Sequence, residues 1–168
     1  MLTPRLVLRR WVAEDAAALP AILGDAEVMA YSDHGPLDIA AQAKWHADAM
    51  SGAGEDSPGC GVWAAQERAS GAVIGYVSLK AAPERLGPDH WELGFRFARR
   101  SWGRGLATEA VRAVIGAAGD TEVVAIVDPD NSASVALLKK LGGVRQRDVM
   151  LEGYDHPDHL YALRRGPP

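Results

Sequence analysis

The chain predicts an α/β fold: a mixed sheet with helices on both faces. Two observations carry this. First, strand-like and helix-like segments follow one another as β-α-α-β-β-β-α-β-α-β-β, with hairpin-linked strands early and helix crossovers late. Second, past mid-chain, the strand-like run Trp91–Phe97 leads through two glycines, Gly103 and Gly105, into a helix-like run from Leu106 to about Ala118.

The first strand is expected at Arg5–Trp11, with Leu6 and Leu8 on one face and Val7 and Arg9 on the other. A helix should follow, opened by Glu14 and Asp15, with Ala16, Leu19, Ile22 and Leu23 at helical spacing and Pro20 as a break or kink. Asp38 suits the cap of a second helix, Ile39–Met50. Ser51–Gly61, rich in Gly, Ser and acids, reads as a loop. Val62–Glu67 and Ala72–Leu79 read as a hairpin about Ser70-Gly71, and the loop Ala81–Asp89 leads to a strand at His90–Phe97. Beyond the glycine loop and its helix come a strand (Glu122–Val127), a helix (Ser132–Leu141) and two strands (Val144–Leu151 and His159–Leu163). No repeat, low-complexity tract or linker divides the chain, so residues 1–168 are expected to form one domain.

Composition narrows the function. Hydrophobic residues make up 48% and charged residues 24%, ordinary values for a globular protein. The net charge of −4 argues against a general nucleic-acid binder, so the arginines at 96, 99, 100 and 104 suit one local anion. The single Cys60 cannot form an intramolecular disulfide and has no evident activating neighbour. The N-terminus does not read as a secretory leader and no apolar run approaches a membrane span, so a cytoplasmic protein with no membrane partner is expected.

A Gly-x-Gly turn from strand to helix places unpaired helix N–H groups beside backbone that a ligand can approach, which is an anion site. A P-loop is excluded because no Gly-x-x-x-x-Gly-Lys-Ser/Thr run exists. A dinucleotide fingerprint fits poorly, because Thr108 takes its last glycine position and the loop lies late in the chain. Arg100-Ser101-Trp102-Gly103-Arg104-Gly105 fits a third pattern, Arg/Gln-x-x-Gly-x-Gly/Ala.

That pattern resembles the acetyl-CoA loop of the GNAT N-acetyltransferases. Further segments resemble the RimJ/RimL branch of that family in order: Leu2–Trp11 with Glu14-Asp15-Ala16, Trp102–Ala110, Asn131–Ser134 with Leu137–Gly142, and Asp158–Leu163. The resemblance implies a GNAT-like acyl-CoA N-acyltransferase fold. Its sheet would be mixed and mostly antiparallel, with adjacent strands splayed after the glycine loop to admit the pantetheine arm.

It also implies acetyl-CoA as co-substrate, without a metal, and an acceptor amine on a peptide, a protein or a small molecule. Backbone amides around Trp102, Gly103, Arg104, Gly105, Leu106 and Ala107 would hold the pyrophosphate, with Thr108 adding a hydrogen bond and Arg99, Arg100 or Arg104 pairing with phosphate. Asn131 would cap its helix and touch the cofactor arm. Glu92 would take the amine's proton, with His90 as the alternative base, and Ser134 would assist the leaving thiolate. An N–H from Leu93, Gly94 or Phe95 would polarise the thioester carbonyl. The acceptor side is expected from Tyr31–Met50 and Ala81–Asp89.

Bland roles stand beside these: a first-turn serine, a capping asparagine and a solvent-facing strand carboxylate. His156-Pro157-Asp158-His159 lacks a complete ligand set and is not expected to bind metal. Tyr154, Tyr161 and the tryptophans Trp45, Trp63 and Trp91 suit packing better than a substrate clamp. A homodimer through a sheet edge is compatible with the sequence and not required by it. A catalytically silent acyl-CoA sensor is the alternative to an enzyme.

Overall fold

A computed structural model describes residues 1–52, 60–81, 90–119, 122–151 and 155–163. The strands are β1 (Leu6–Arg9), β2 (Gly61–Glu67), β3 (Val73–Ala81), β4 (His90–Phe97), β5 (Glu122–Val127), β6 (Val144–Val149) and β7 (Asp158–Leu163). The α-helices among the described residues are α1 (Ile39–Ser51), α2 (Leu106–Ala117) and α3 (Ser132–Lys140). The strands form one sheet in the order β1-β2-β3-β4-β5-β7-β6. Neighbours are antiparallel except β4 and β5, which run parallel. Among the described residues, no helix is long and apolar enough to cross a membrane.

Strand alternation sorts side chains onto two cores. On one face, Leu106, Ala110, Val111 and Val114 of α2 and Leu137 and Leu138 of α3 pack on Leu6, Leu8, Val77, Leu79, Leu93 and Val123. On the other face, Trp11, Leu19, Ile22, Leu23 and Met29 close over Val62, Ala64 and Tyr76, with Trp45 of α1 against them. Trp45 meets Trp11 edge-on at 5.1 Å and Tyr76 at 4.8 Å, so it packs rather than clamps a substrate. Tyr161 is likewise buried in the first core. α1 begins as its sequence predicts, with the Asp38 carboxylate accepting the Ala41 N–H at 2.8 Å, and it ends at Gly52 with φ +70°.

One element differs from expectation. The segment after β1 is a 3-10 helix, Ala13–Ala21, although it buries Leu19, Ile22 and Leu23 as the spacing predicts. Pro20 has no N–H to donate, so an α-helical ladder cannot run through it. Its start is set by Asp15, which is buried. The Asp15 carboxylate accepts from both Arg9 Nη atoms, at 2.7 and 2.8 Å, and from the Val12 N–H at 2.9 Å. This is a bidentate, charge-assisted clamp between β1 and the 3-10 helix.

Burial pushes the Asp15 carboxyl up, but the Arg9 and Val12 hydrogen bonds and the Arg9 charge outweigh it and leave it below the usual aspartate value. A depressed carboxyl contributes stability that is fully present above about pH 4, the unfolded value, and lost as pH falls through the folded value. Asp15→Asn should therefore lower stability at neutral pH by about 3 kcal/mol, because it strands the Arg9 charge. Urea unfolding at pH 7 and at pH 3 checks this: the gap between wild type and variant should shrink at the lower pH.

Candidate active site

The β4–β5 ladder pairs only His90 with Glu122, Trp91 with Val123 and Glu92 with Val124. Both strands then continue, β4 to Phe97 and β5 to Val127, without pairing to each other. β4 stays zipped to β3 from Trp91 to Phe97, and β5 stays zipped to β7 from Val123 to Val127. The strands splay, and the wedge between them opens into a cavity of about 920 Å³.

Twelve of the sequence-predicted site residues line this one cavity: Glu92, Leu93, Gly94, Phe95, Trp102, Gly103, Gly105, Leu106, Ala107, Thr108, Asn131 and Ser134. Segments far apart in the chain therefore meet at one cavity. Leu93 is buried in the core beneath α2, so its alternating neighbours Glu92 and Gly94 fall on the opposite face of β4. His90 lies in the paired part of the strand, its Nε2 3.9 Å from Glu122, and does not line the cavity. Of the expected acceptor segment, Tyr31 and Asp33 reach the cavity, while α1 packs away from it. Residues 82–89 and Tyr154 lie outside the described residues.

The glycine loop sits at the open end of the wedge. Arg99–Ser101 form a 3-10 turn, closed by the Trp102 N–H on the Arg99 carbonyl at 3.0 Å. Trp102 is anchored by its indole N–H, 2.6 Å from the Phe97 carbonyl oxygen. Gly103 and Gly105 then adopt φ +70° and +73°. A Cβ on Gly103 would meet no protein atom within 4 Å, so the backbone there is open to approach. The first bond of α2 is from the Glu109 N–H to the Gly105 carbonyl at 3.1 Å. The N–H groups of Leu106, Ala107 and Thr108 are thus outside the helical ladder, as an anion site needs. At the cavity's other wall, Asn131 Oδ1 accepts the Ser134 N–H at 3.1 Å, capping α3 as predicted.

The arginines are placed differently from the predicted phosphate partners. Arg99 pairs with Glu27 at 2.7 Å, Arg100 donates to the Val73 carbonyl at 2.9 Å and Arg104 pairs with Glu67 at 2.5 Å. None of the three lines the cavity.

Sequence reasoning missed the group that holds the loop. Arg5 Nη1 donates to the Arg104 carbonyl at 2.7 Å, and its Nε donates to Glu109 at 2.6 Å. The same Glu109 carboxylate accepts from the Arg5 N–H at 2.8 Å and from the Thr3 hydroxyl at 2.6 Å. The residues before β1 therefore tie the loop to the first turn of α2. Thr3-Pro4-Arg5 and Thr108-Glu109-Ala110 were both visible as segments, but nothing local pairs them. Burial pushes the Glu109 carboxyl up, and the Thr3 and Arg5 hydrogen bonds with the Arg5 charge more than reverse it, leaving it low.

The fold also gathers Asp128 at the end of β5 with His156 and Asp158, their ligand-capable atoms within 4.8 Å of one another. His156 lies 2.8 Å from Asp155 and 3.3 Å from Asp128, and these partners hold its imidazole above the ordinary value. Asp128 and Asp158 line the cavity edge.

If the Arg5–Glu109 tie sets the loop, Arg5→Ala should raise hydrogen exchange at the Glu109 amide, whose bond to the Gly105 carbonyl closes the first turn of α2, by about tenfold, the loss of roughly one charge-assisted hydrogen bond. Amides of β3 should be unmoved, and exchange read by mass spectrometry separates the two.

A family model described as an acetyltransferase (GNAT) domain matches residues 5–144. The Bacillus subtilis (strain 168) protein YkkB, itself uncharacterized, is 30% identical over 148 residues, spanning 84% of this chain and 83% of that one. A GNAT-family acetyltransferase from Bacillus anthracis has a similar structure, with a TM-score of 0.84 at 19% identity over 98% of this chain and 97% of that one. A GNAT-superfamily phosphinothricin acetyltransferase from Sinorhizobium meliloti, solved in complex with AcCoA, gives a TM-score of 0.68 at 19% identity over 96% and 89%. With its splayed strands and glycine loop, this chain belongs to the GNAT family of acetyltransferases.

Proposed function

We propose that the chain is a single-domain N-acetyltransferase of the RimJ/RimL-like branch, moving an acetyl group from acetyl-CoA to a primary amine in a ternary complex. One observation carries the reading: the β4–β5 ladder ends at Glu92 and Val124, and the cavity it opens runs to a glycine loop at the N-terminus of α2. A linear diphosphate ester with a long arm fits that shape. Its phosphates face the N–H groups of residues 106–108, and its arm lies where β4 and β5 leave backbone groups unpaired. Acetyl-CoA supplies the acetyl thioester there.

Glu92 accepts a proton from the incoming ammonium, directly or through water, so that a neutral nitrogen attacks. An N–H from Leu93, Gly94 or Phe95 steadies charge on the carbonyl oxygen. The C–N bond forms and the C–S bond breaks. The Ser134 hydroxyl, on the first turns of α3, supports the departing sulfur. No covalent acyl-enzyme is required. Holding both substrates in one cavity supplies much of the rate. Its titratable lining is mostly acidic, with Glu27, Asp33, Glu92, Asp128 and Asp158 against Arg96 and Lys140, which favours an ammonium-bearing acceptor. A cytoplasmic setting is in keeping with the single buried Cys60.

Isothermal titration with acetyl-CoA, NADH and ATP is the first experiment. Acetyl-CoA should bind and the other two should not. Gly105→Val, forced into a left-handed conformation that a β-branched residue resists, should weaken acetyl-CoA by about tenfold or more. Preferential NADH binding would return the loop to the dinucleotide reading.

Glu92→Gln should lower kcat by about 10²-fold or more while acetyl-CoA affinity holds, measured as CoA release in an amine screen. Binding with no transfer to any amine would leave an acyl-CoA sensor instead.

A further inference from the structure

Of the four arginines gathered near the loop, Arg96 alone lines the cavity. It is also the only one of them that is half-buried. Arg99, Arg100 and Arg104 each have a carboxylate or a carbonyl as partner. Arg96 differs: its Nη1 donates to the Tyr76 hydroxyl at 3.2 Å, and among the described residues it forms no ion pair. A guanidinium offers five donors, and a neutral phenol uses one of them without balancing the charge. A half-buried cation without an anion is unfavourable unless something else completes it.

Tyr76 is itself buried and wedged against Trp45 at 4.8 Å, so it holds Arg96 from a rigid support. Arg96 also shares its face of β4 with Glu92 and Gly94, whereas Leu93 and Phe97 on the other face pack toward α2. The anion that Arg96 awaits therefore belongs to the acceptor half of the cavity and not to the phosphate loop.

We infer that the acceptor is an amine that also carries a carboxylate, with its nitrogen brought to Glu92 and its carboxylate paired with Arg96. This rests on the acetyltransferase reading and narrows its substrate class. The two side chains stem from Cα atoms about 13 Å apart along an extended strand, with Gly94 between them, against the Ser78 hydroxyl. A flexible arginine stem shortens that span, so the amine and carboxylate can lie several bonds apart. A planar guanidinium meets both carboxylate oxygens at once, which an ammonium could not do.

The test follows CoA release with glycine, β-alanine, γ-aminobutyrate and ε-aminocaproate, each against its carboxamide and against spermidine. Acetyl-CoA affinity is measured separately by titration. At least one amino carboxylate should exceed its carboxamide in kcat/KM by about tenfold or more. Arg96→Met should erase that preference through the KM for the carboxylate, leaving acetyl-CoA affinity unchanged, and Arg96→Lys should recover part of it.

Carboxamides or spermidine working as well as the carboxylates would overturn the inference, as would failure of every carboxylate in the series. An Arg96→Met variant that binds acetyl-CoA as weakly as it binds the acceptor would assign the arginine to a cofactor phosphate. Loss of acetyl-CoA binding in the unaltered protein is a different failure: it removes the acetyltransferase reading and this inference with it.

Discussion

The structure depends on the point at which two parallel strands stop pairing. β4 and β5 share three residue pairs and then part, although each remains fully paired on its other side. Backbone N–H and C=O groups are obligatory hydrogen-bonding groups, so a sheet opened in its middle must offer them to something else. A thin polar chain with amide groups of its own can take up both edges of such a wedge. Helices α2 and α3 pack on the same face, where Leu106, Val111, Leu137 and Leu138 fill one continuous core with Val123 and Ala125.

The anion site at the end of the wedge shows how charge is distributed. A loop surrounded by arginines suggests phosphate held by guanidinium groups. In the folded chain, three of these cations instead bind the protein: Arg99 to Glu27, Arg100 to the Val73 carbonyl and Arg104 to Glu67. They brace the loop, and Arg5 braces it from the other side through Glu109 and the Arg104 carbonyl. That leaves the first amides of α2 and the helix dipole as the field an anion would meet there, and neither needs side-chain ordering. Fixing the loop in advance reduces the entropy lost on binding.

Much of this was legible in the sequence because it is local. The order and approximate place of the strands and helices followed from alternation, spacing and caps, as at Asp38, Asn131 and the hairpin around Gly71, while the first strand is shorter than expected, Leu6–Arg9 against Arg5–Trp11. Twelve candidate site residues could be named because motif order fixes which segments meet. What escaped was non-local or cooperative. Pro20 signalled a defect, but nothing local determined that the whole segment would become 3-10. The pairing of Thr3 and Arg5 with Glu109 spans more than a hundred residues. The meeting of Asp128 with His156 and Asp158 depends on β5 and β7 lying side by side. The arginine partners are set by three separate elements, so residue type alone could not tell a phosphate ligand from a brace.

The face of β4 that carries Glu92 and Arg96 is itself pinned by close approach. A one-residue slip in a strand exchanges its two faces, which here would turn Glu92 and Arg96 toward the core beneath α2 and take Leu93 out of it. Gly75 of β3 opposes this slip. A Cβ there would lie 2.4 Å from the Arg96 carbonyl oxygen and 2.7 Å from the Phe97 ring, so β3 and β4 sit closer at this point than any side chain would allow. Phe97 packs into the space that Gly75 leaves, and that contact fits one register only. Ser78 and Gly94 repeat the arrangement three pairs further along, where a Cβ on Gly94 would lie 2.7 Å from the serine oxygen. Two glycines on opposite strands thus lock the register from both sides of Arg96. The chemistry assigned to Glu92 and Arg96 rests on residues that never touch a substrate, and the precision of the site comes from the absence of side chains as much as from their presence.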